Sequence, residues 1–251
     1  MNKEINRKEI RSMKIGILDC DDIAPELIED FSSYTSMFQD LLAKTNLSAE
    51  NPEFVSYKAC HGEFPEDIRE CDAYLISGSK TGVYDDVPWR APLRKLVQEI
   101  FDADIRMVGI CFGHQLLADV LGGKTEKSTK GWGIGAIQHQ KQGGAQPFDH
   151  MPESLTLLFS HQDQVVSLPE SAVRIYGSEF CENGAFYIPG KVLGFQGHPE
   201  FTNEYSDRLM RLRRERYPAE RYEEGIASIG TETQEVLVAE WMMQFLFGLR
   251  G

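Results

Sequence analysis

No stretch of this chain is apolar over anything near the roughly 18 residues a bilayer-spanning helix needs. Its five cysteines (Cys20, Cys60, Cys71, Cys111 and Cys181) include no Cys-x-x-Cys pair. Odd in number and scattered, they offer no disulfide framework and no structural zinc site. Cys111 and His114 stand three apart without a second ligand pair, so no metal is expected. There is no Gly-x-x-x-x-Gly-Lys-Ser/Thr loop, which argues against an acceptor-activating domain here and points to no cofactor. Positive charge is scarce too. A net charge of −13 argues against a nucleic-acid partner and against an anionic membrane surface. Residues 1–12 are polar and lack the apolar core of a signal peptide, so they are expected as a disordered extension of a cytoplasmic protein. No internal repeat or domain-scale linker is visible.

What is present suits one large α/β domain over residues 13–251, with 41% apolar content to fill its core. Apolar runs at 13–19, 54–59, 73–77 and 106–110 read as strands. Helical patterns at 36–44, 89–101 and 113–121 alternate with them. That alternation predicts a mainly parallel central sheet with helices on both faces. Strand-like segments at 133–140, 155–159, 173–176, 185–188 and 192–196 crowd together and predict some antiparallel strands in the second half. Residues 203–251 read as a helical C-terminal part with a loop near 226–231. Val236, Leu237, Ala239, Trp241, Phe245 and Leu246 fall in a stripe expected to pack on the sheet. The basic run from Arg208 to Arg216 reads as a solvated helix face.

The chemistry concentrates at Gly109-Ile-Cys-Phe-Gly-His-Gln115, between a strand and a helix. Glycines two before and two after Cys111 suit a strained elbow, where side chains would collide with the neighbouring strand and helix. The elbow lifts the sulfur out of the backbone at a helix N-terminus, which favours a negative sulfur. An isolated cysteine is more often a buried core residue; the flanking pattern reverses that preference. A nucleophile also needs a base. Gly197-His-Pro-Glu-Phe201 follows a short apolar strand, and two-residue spacing in extended chain puts His198 and Glu200 on one face. The imidazole then takes the thiol proton while the carboxylate orients it.

The elbow and the late Gly-His-Pro-Glu, in that order, resemble the Cys-His-Glu triad of class I glutamine amidotransferase domains. The resemblance runs from about Met13 to Phe201. It implies a flavodoxin-like fold and hydrolysis of a γ-glutamyl amide, with Cys111 as nucleophile, His198 as base and then acid, and Glu200 as orienting carboxylate. It further implies an oxyanion hole from the N–H groups of Gly78 and Phe112. The chain has Ser77-Gly-Ser79 where biosynthetic members often show Gly-Gly-Pro.

Phe159-Ser-His-Gln-Asp-Gln-Val165 resembles a segment of guanylate-synthase-type members. By that match His161 and Asp163 line the glutamine pocket, with Asp163 toward the substrate ammonium. Gln115 touches the same ligand, and Trp132 and Gly133 lie in a Gly-rich segment toward the α-carboxylate. The loop Lys80-Thr-Gly-Val-Tyr-Asp-Asp-Val-Pro-Trp89 resembles a stand-alone branch that includes γ-glutamyl peptidases. It reads as a substrate cover, as the start of a helix capped by Asp85 or Asp86 with Pro88 in its first turn, or as both. Three functions stay open: glutamine hydrolysis with a separate synthetase or acceptor subunit, a self-sufficient γ-glutamyl peptidase, and an idle binding module. The expected partner in the first two is glutamine or another γ-glutamyl small molecule.

Overall fold

The computed structural model describes residues 12–143 and 146–249. The expected extension therefore lies, apart from residue 12, outside the described residues. Nine strands form one sheet in the order β2-β1-β3-β4-β11-β10-β9-β6-β7. Its parallel half joins β1 (Lys14–Leu18), β2 (Glu53–Tyr57), β3 (Ala73–Ile76), β4 (Arg106–Ile110) and β11 (Val192–Phe195). The antiparallel half adds β10 (Ala185–Ile188), β9 (Val173–Gly177), β6 (Gly133–Lys141) and β7 (Ser154–His161). The mixed parallel and antiparallel sheet agrees with the expectation from the strand spacing. A two-stranded ribbon, β5 (Lys124–Lys127) with β8 (Asp163–Ser167), was not legible, because both strands are short and largely polar.

Helices cover both faces because the parallel strands are apolar on both. Ile15, Ile17, Leu75 and Val108 face one side, packed with α2 (Tyr34–Leu42), α5 (Asn203–Leu212) and α7 (Glu235–Phe247). Tyr74, Ile76 and Met107 face the other, under α3 (Arg90–Asp102) and α4 (Phe112–Val120). This is the period-two alternation of a buried strand. The four-residue α1 (Ile28–Phe31) precedes α2, and α6 (Ala219–Ala227) packs on β6. Among the described residues no helix is long and apolar enough to cross a membrane.

Two local expectations need correction. The buried stripe of α7 is Val238, Ala239, Trp241, Met242, Met243, Phe245 and Leu246, with Val236 exposed. Trp241 sets that register by stacking between Phe148 and Tyr176. Neither Asp85 nor Asp86 caps α3. Its first flanking residue is Trp89, Pro88 lies outside the helix, and the Asp85 carboxylate instead accepts the Gly82 N–H at 2.7 Å.

Candidate active site

The site forms at the carboxyl ends of β3, β4 and β11, where parallel sheets leave open loops. Cys111 follows β4 at φ 51° and ψ −101°, a backbone conformation costly for a residue with a Cβ. The strain is held from three sides. Its N–H donates to the Phe195 carbonyl at 2.8 Å, its carbonyl accepts from Gln115, and the Gly113 N–H donates to the Ser77 carbonyl. The flanking glycines make that closure possible. A Cβ on Gly113 would stand 2.3 Å from the Ile76 carbonyl oxygen, and one on Gly109 would stand 2.5 Å from Gly113. Cys111 flanks the start of α4, and its side chain makes no capping bond there.

His198 continues from β11 and forms an isolated antiparallel bridge with Leu158, so the extended part of the expectation holds there. The chain then turns, and the Glu200 carboxylate accepts from His198 Nδ1 at 2.7 Å. Both are buried. Phe201 stacks on the ring with centroids 3.8 Å apart, which fixes its plane. Burial works against a charged ring. The Glu200 carboxylate and then the Cys111 sulfur outweigh it and raise His198 to about 10. With Nδ1 committed to Glu200, Nε2 is the free nitrogen; no bond of full hydrogen-bond geometry yet joins it to the sulfur. Catalytic hydrogen bonds are often poorly aligned before substrate is bound. Cys111 and His198 line one small cavity with Gly78 and Ser79.

Gly78 separates the two halves. A Cβ there would lie 2.9 Å from His198 Cε1 and 3.7 Å from the Cys111 Cβ. Among the described residues no hydrogen bond takes up the N–H of Gly78 or of Phe112. The Phe112 ring is anchored away from the site against Trp89.

Beside Cys111 opens a 280 Å³ cleft lined by Gln115, Trp132, His161 and Asp163, with Lys80, Thr81, Gly82, Tyr84 and Asp85 from the loop after β3. The Gln115 amide nitrogen donates to the Asp163 carbonyl at 2.8 Å and to Gln196 at 3.0 Å, so it braces the pocket wall. His161 Nδ1 donates to the same carbonyl. Burial lowers this imidazole to about 3, so it stays neutral. Gly133 pairs with His161 across β6 and β7, and a Cβ there would meet Nε2 at 2.7 Å. Trp132 stands edge-on to Tyr217. The Asp163 carboxylate accepts from Tyr84 Oη at 2.8 Å. Burial raises its pKa, and the Tyr84 bond opposes that.

The structure thus brings Cys111, His198, Glu200 and Gly78 together, and gathers Gln115, Trp132, His161 and Asp163 beside them. A family model described as glutamine amidotransferase class-I matches residues 27–212. The chain belongs to the class I glutamine amidotransferase family.

Among relatives, γ-glutamyl peptidase 5 of Arabidopsis thaliana is 34% identical over 160 residues, 59% of this chain and 62% of that protein. The match therefore spans less than two-thirds of that relative's length. A glutamine amidotransferase-like protein of Schizosaccharomyces pombe is 31% identical over 78% of this chain and 77% of its own. A glutamine-hydrolysing GMP synthase of Bacillus velezensis is 33% identical over 63% of this chain but only 31% of its own length. A glutamine amidotransferase from Thermotoga maritima superposes with a TM-score of 0.72 at 22% identity, over 94% of this chain and 96% of that one.

Three features of this amidotransferase-family chain escaped sequence reasoning. Arg213 and Arg216 line the cleft, Arg213 half-buried and Arg216 exposed at its rim, whereas Arg208 and Arg211 pair with Asp30 and Asp207. Their turn just past the end of α5 redirects them, and residue spacing does not show it. Asp21 holds Lys80 at the cleft wall through its backbone N–H and its ammonium, both within 2.8 Å. Asp22, Cys60 and His61 bring their carboxylate, thiol and imidazole atoms within 4.8 Å of one another, although burial raises the Cys60 thiol to about 11. They come from the loop after β1 and a short 3-10 turn after β2, far apart in the chain, and His61 Nε2 already meets Asp22 at 2.8 Å.

Proposed function

We propose that this chain hydrolyses a γ-glutamyl amide through a thioester on Cys111. The observation that carries the proposal is the buried His198–Glu200 pair at 2.7 Å, set across Gly78 from a strained, uncapped Cys111. In the first step His198 Nε2 takes the thiol proton, and the sulfur attacks the γ-carbonyl carbon. The N–H groups of Gly78 and Phe112 stabilise the tetrahedral oxyanion, the effect that usually dominates acyl transfer. The C–N bond breaks, His198 returns its proton to the leaving nitrogen, and the amine departs. Water then gives a proton to His198, attacks the thioester, and releases glutamate with the regenerated thiol. Glu200 keeps Nδ1 protonated and stabilises the imidazolium. Asp163 receives the substrate ammonium, and the backbone around Trp132 and Gly133 receives its carboxylate.

Two leaving groups suit this chemistry. Ammonia from glutamine would serve a separate synthetase subunit, a reading favoured by the similarity to the glutamine-hydrolysing GMP synthase. The amine of a γ-glutamyl peptide would need no partner. That reading is favoured by the similarity to the γ-glutamyl peptidase and by the Tyr84 loop over Asp163. Glutamate release from glutamine and from a γ-glutamyl peptide, each with the isolated protein, tests the proposal. Release from either supports it, and the faster substrate separates the two leaving groups. An idle binding module predicts release from neither.

A further inference from the structure

We infer that Arg213 recognises a carboxylate on the leaving amine, which makes γ-glutamyl amino acids the preferred substrates; this rests on the hydrolase proposal above. Arg213 immediately follows α5, its N–H bonded to the Leu209 carbonyl. It lines the small cavity that holds Gly78, Cys111 and His198, and also the wider cleft beside Cys111. It is half-buried. Among the described residues it forms no ion pair with a carboxylate; its guanidinium donates to the neutral Ser160 hydroxyl at 3.4 Å, with the neutral Tyr217 hydroxyl also beside it.

The arginines before it on α5 differ, while Arg216, on the wider cleft only, is likewise without an ion pair among the described residues. Arg208 is held by Asp30 at 2.6 Å and Arg211 by Asp207 at 2.8 Å. Lys80, another cation on the small cavity, is paired with Asp21 at 2.7 Å, and His198 with Glu200. Arg213 is therefore a half-buried cation at the cavity wall with neutral hydroxyl neighbours and no carboxylate partner among the described residues, an arrangement that favours an anionic ligand.

Position decides which anion. The leaving nitrogen must receive its proton from His198, so the leaving group departs on the side of the cavity His198 and Arg213 share. Ammonia offers this guanidinium nothing. An amino acid bound through its nitrogen carries a carboxylate two bonds away, within reach of a flexible arginine. The planar fork of Arg213 fits a carboxylate bidentately.

γ-Glutamylalanine and γ-glutamylethylamide differ only in that carboxylate, and so form the test pair. The expected kcat/KM ratio for the wild-type protein is about 10- to 100-fold in favour of γ-glutamylalanine, the range of a hydrogen bond to a charged group. In Arg213→Gln the ratio collapses toward unity. In Arg213→Lys, which keeps the charge without the fork, it takes an intermediate value. Circular dichroism checks that both variants are folded. A wild-type ratio near unity overturns the inference, as does a ratio unchanged in Arg213→Gln; the latter would assign the arginine to the glutamyl end. Absence of glutamate release from both substrates and from glutamine would instead overturn the hydrolase proposal itself.

Discussion

Replacing Gly78 by alanine should disable the site while leaving the chain folded. The added methyl would stand 2.9 Å from His198 Cε1, whereas carbon contacts settle near 3.5 Å, so something must move by roughly 0.6 Å. The ring cannot easily yield: Phe201 stacks on it at 3.8 Å and Glu200 holds Nδ1 at 2.7 Å. The turn after β3 must retreat instead, and it takes the Gly78 N–H with it. Loss of one oxyanion donor costs about 10²–10³ in kcat, or about 2.7–4 kcal/mol of transition-state stabilisation. The overpacking itself should cost about 1–3 kcal/mol of folding stability. Steady-state glutamate release gives the first quantity, and urea unfolding gives the second. A folded variant that kept kcat within about threefold of wild type would refute the placement of Gly78 in the oxyanion hole.

Removing the Tyr84 hydroxyl with Tyr84→Phe should raise KM for glutamine about three- to tenfold with little change in kcat, because Asp163 loses the bond that favours its charged form. An unchanged KM would detach Tyr84 from substrate binding. Glu200→Gln keeps the shape but removes the charge that raises His198, so kcat should fall about 10²-fold or more, and near-normal turnover would remove Glu200 from the mechanism. Stability should depend on pH through buried imidazoles. Burial lowers His114 to about 3, His139 to about 4 and His161 to about 3, so the unfolded chain binds their protons first as pH falls. Their contribution is present above about pH 6.5 and declines toward pH 4, by up to about 1.4 kcal/mol per unit for each. His198 has the opposite sign: its raised pKa contributes below about pH 6.5, and that contribution is lost as pH rises through 10. Urea unfolding at pH 7 and pH 5 should show His139→Gln losing less stability than wild type, and equal losses would contradict the assignment.

The strands and the elbow were legible because their signals are local. Ile15, Ile17, Leu75 and Val108 alternate with residues facing the other way, and Gly109 and Gly113 bracket Cys111 at the spacing a tight strand–helix crossing requires. The His198–Glu200 contact was legible for the same reason, with two residues of separation and one hydrogen bond. What stayed hidden depends on long-range placement. Arg213 reaches the cleft because α5 packs through Tyr205 and Leu209 on the sheet, and Tyr84 meets Asp163 across 79 residues. The polar ribbon of β5 and β8 carries no hydrophobic period at all. Register in α7 was missed because that helix is apolar on nearly every side, so its buried face is chosen by Phe148 and Tyr176 and not by its own pattern.

The most direct measurement is peptide mapping by mass spectrometry after acid quench of the protein during turnover of a γ-glutamyl substrate. The account predicts one γ-glutamyl group on the peptide bearing Cys111, no such adduct on Cys20, Cys60, Cys71 or Cys181, and neither adduct nor glutamate release in Cys111→Ala. Normal glutamate release by that variant would contradict it.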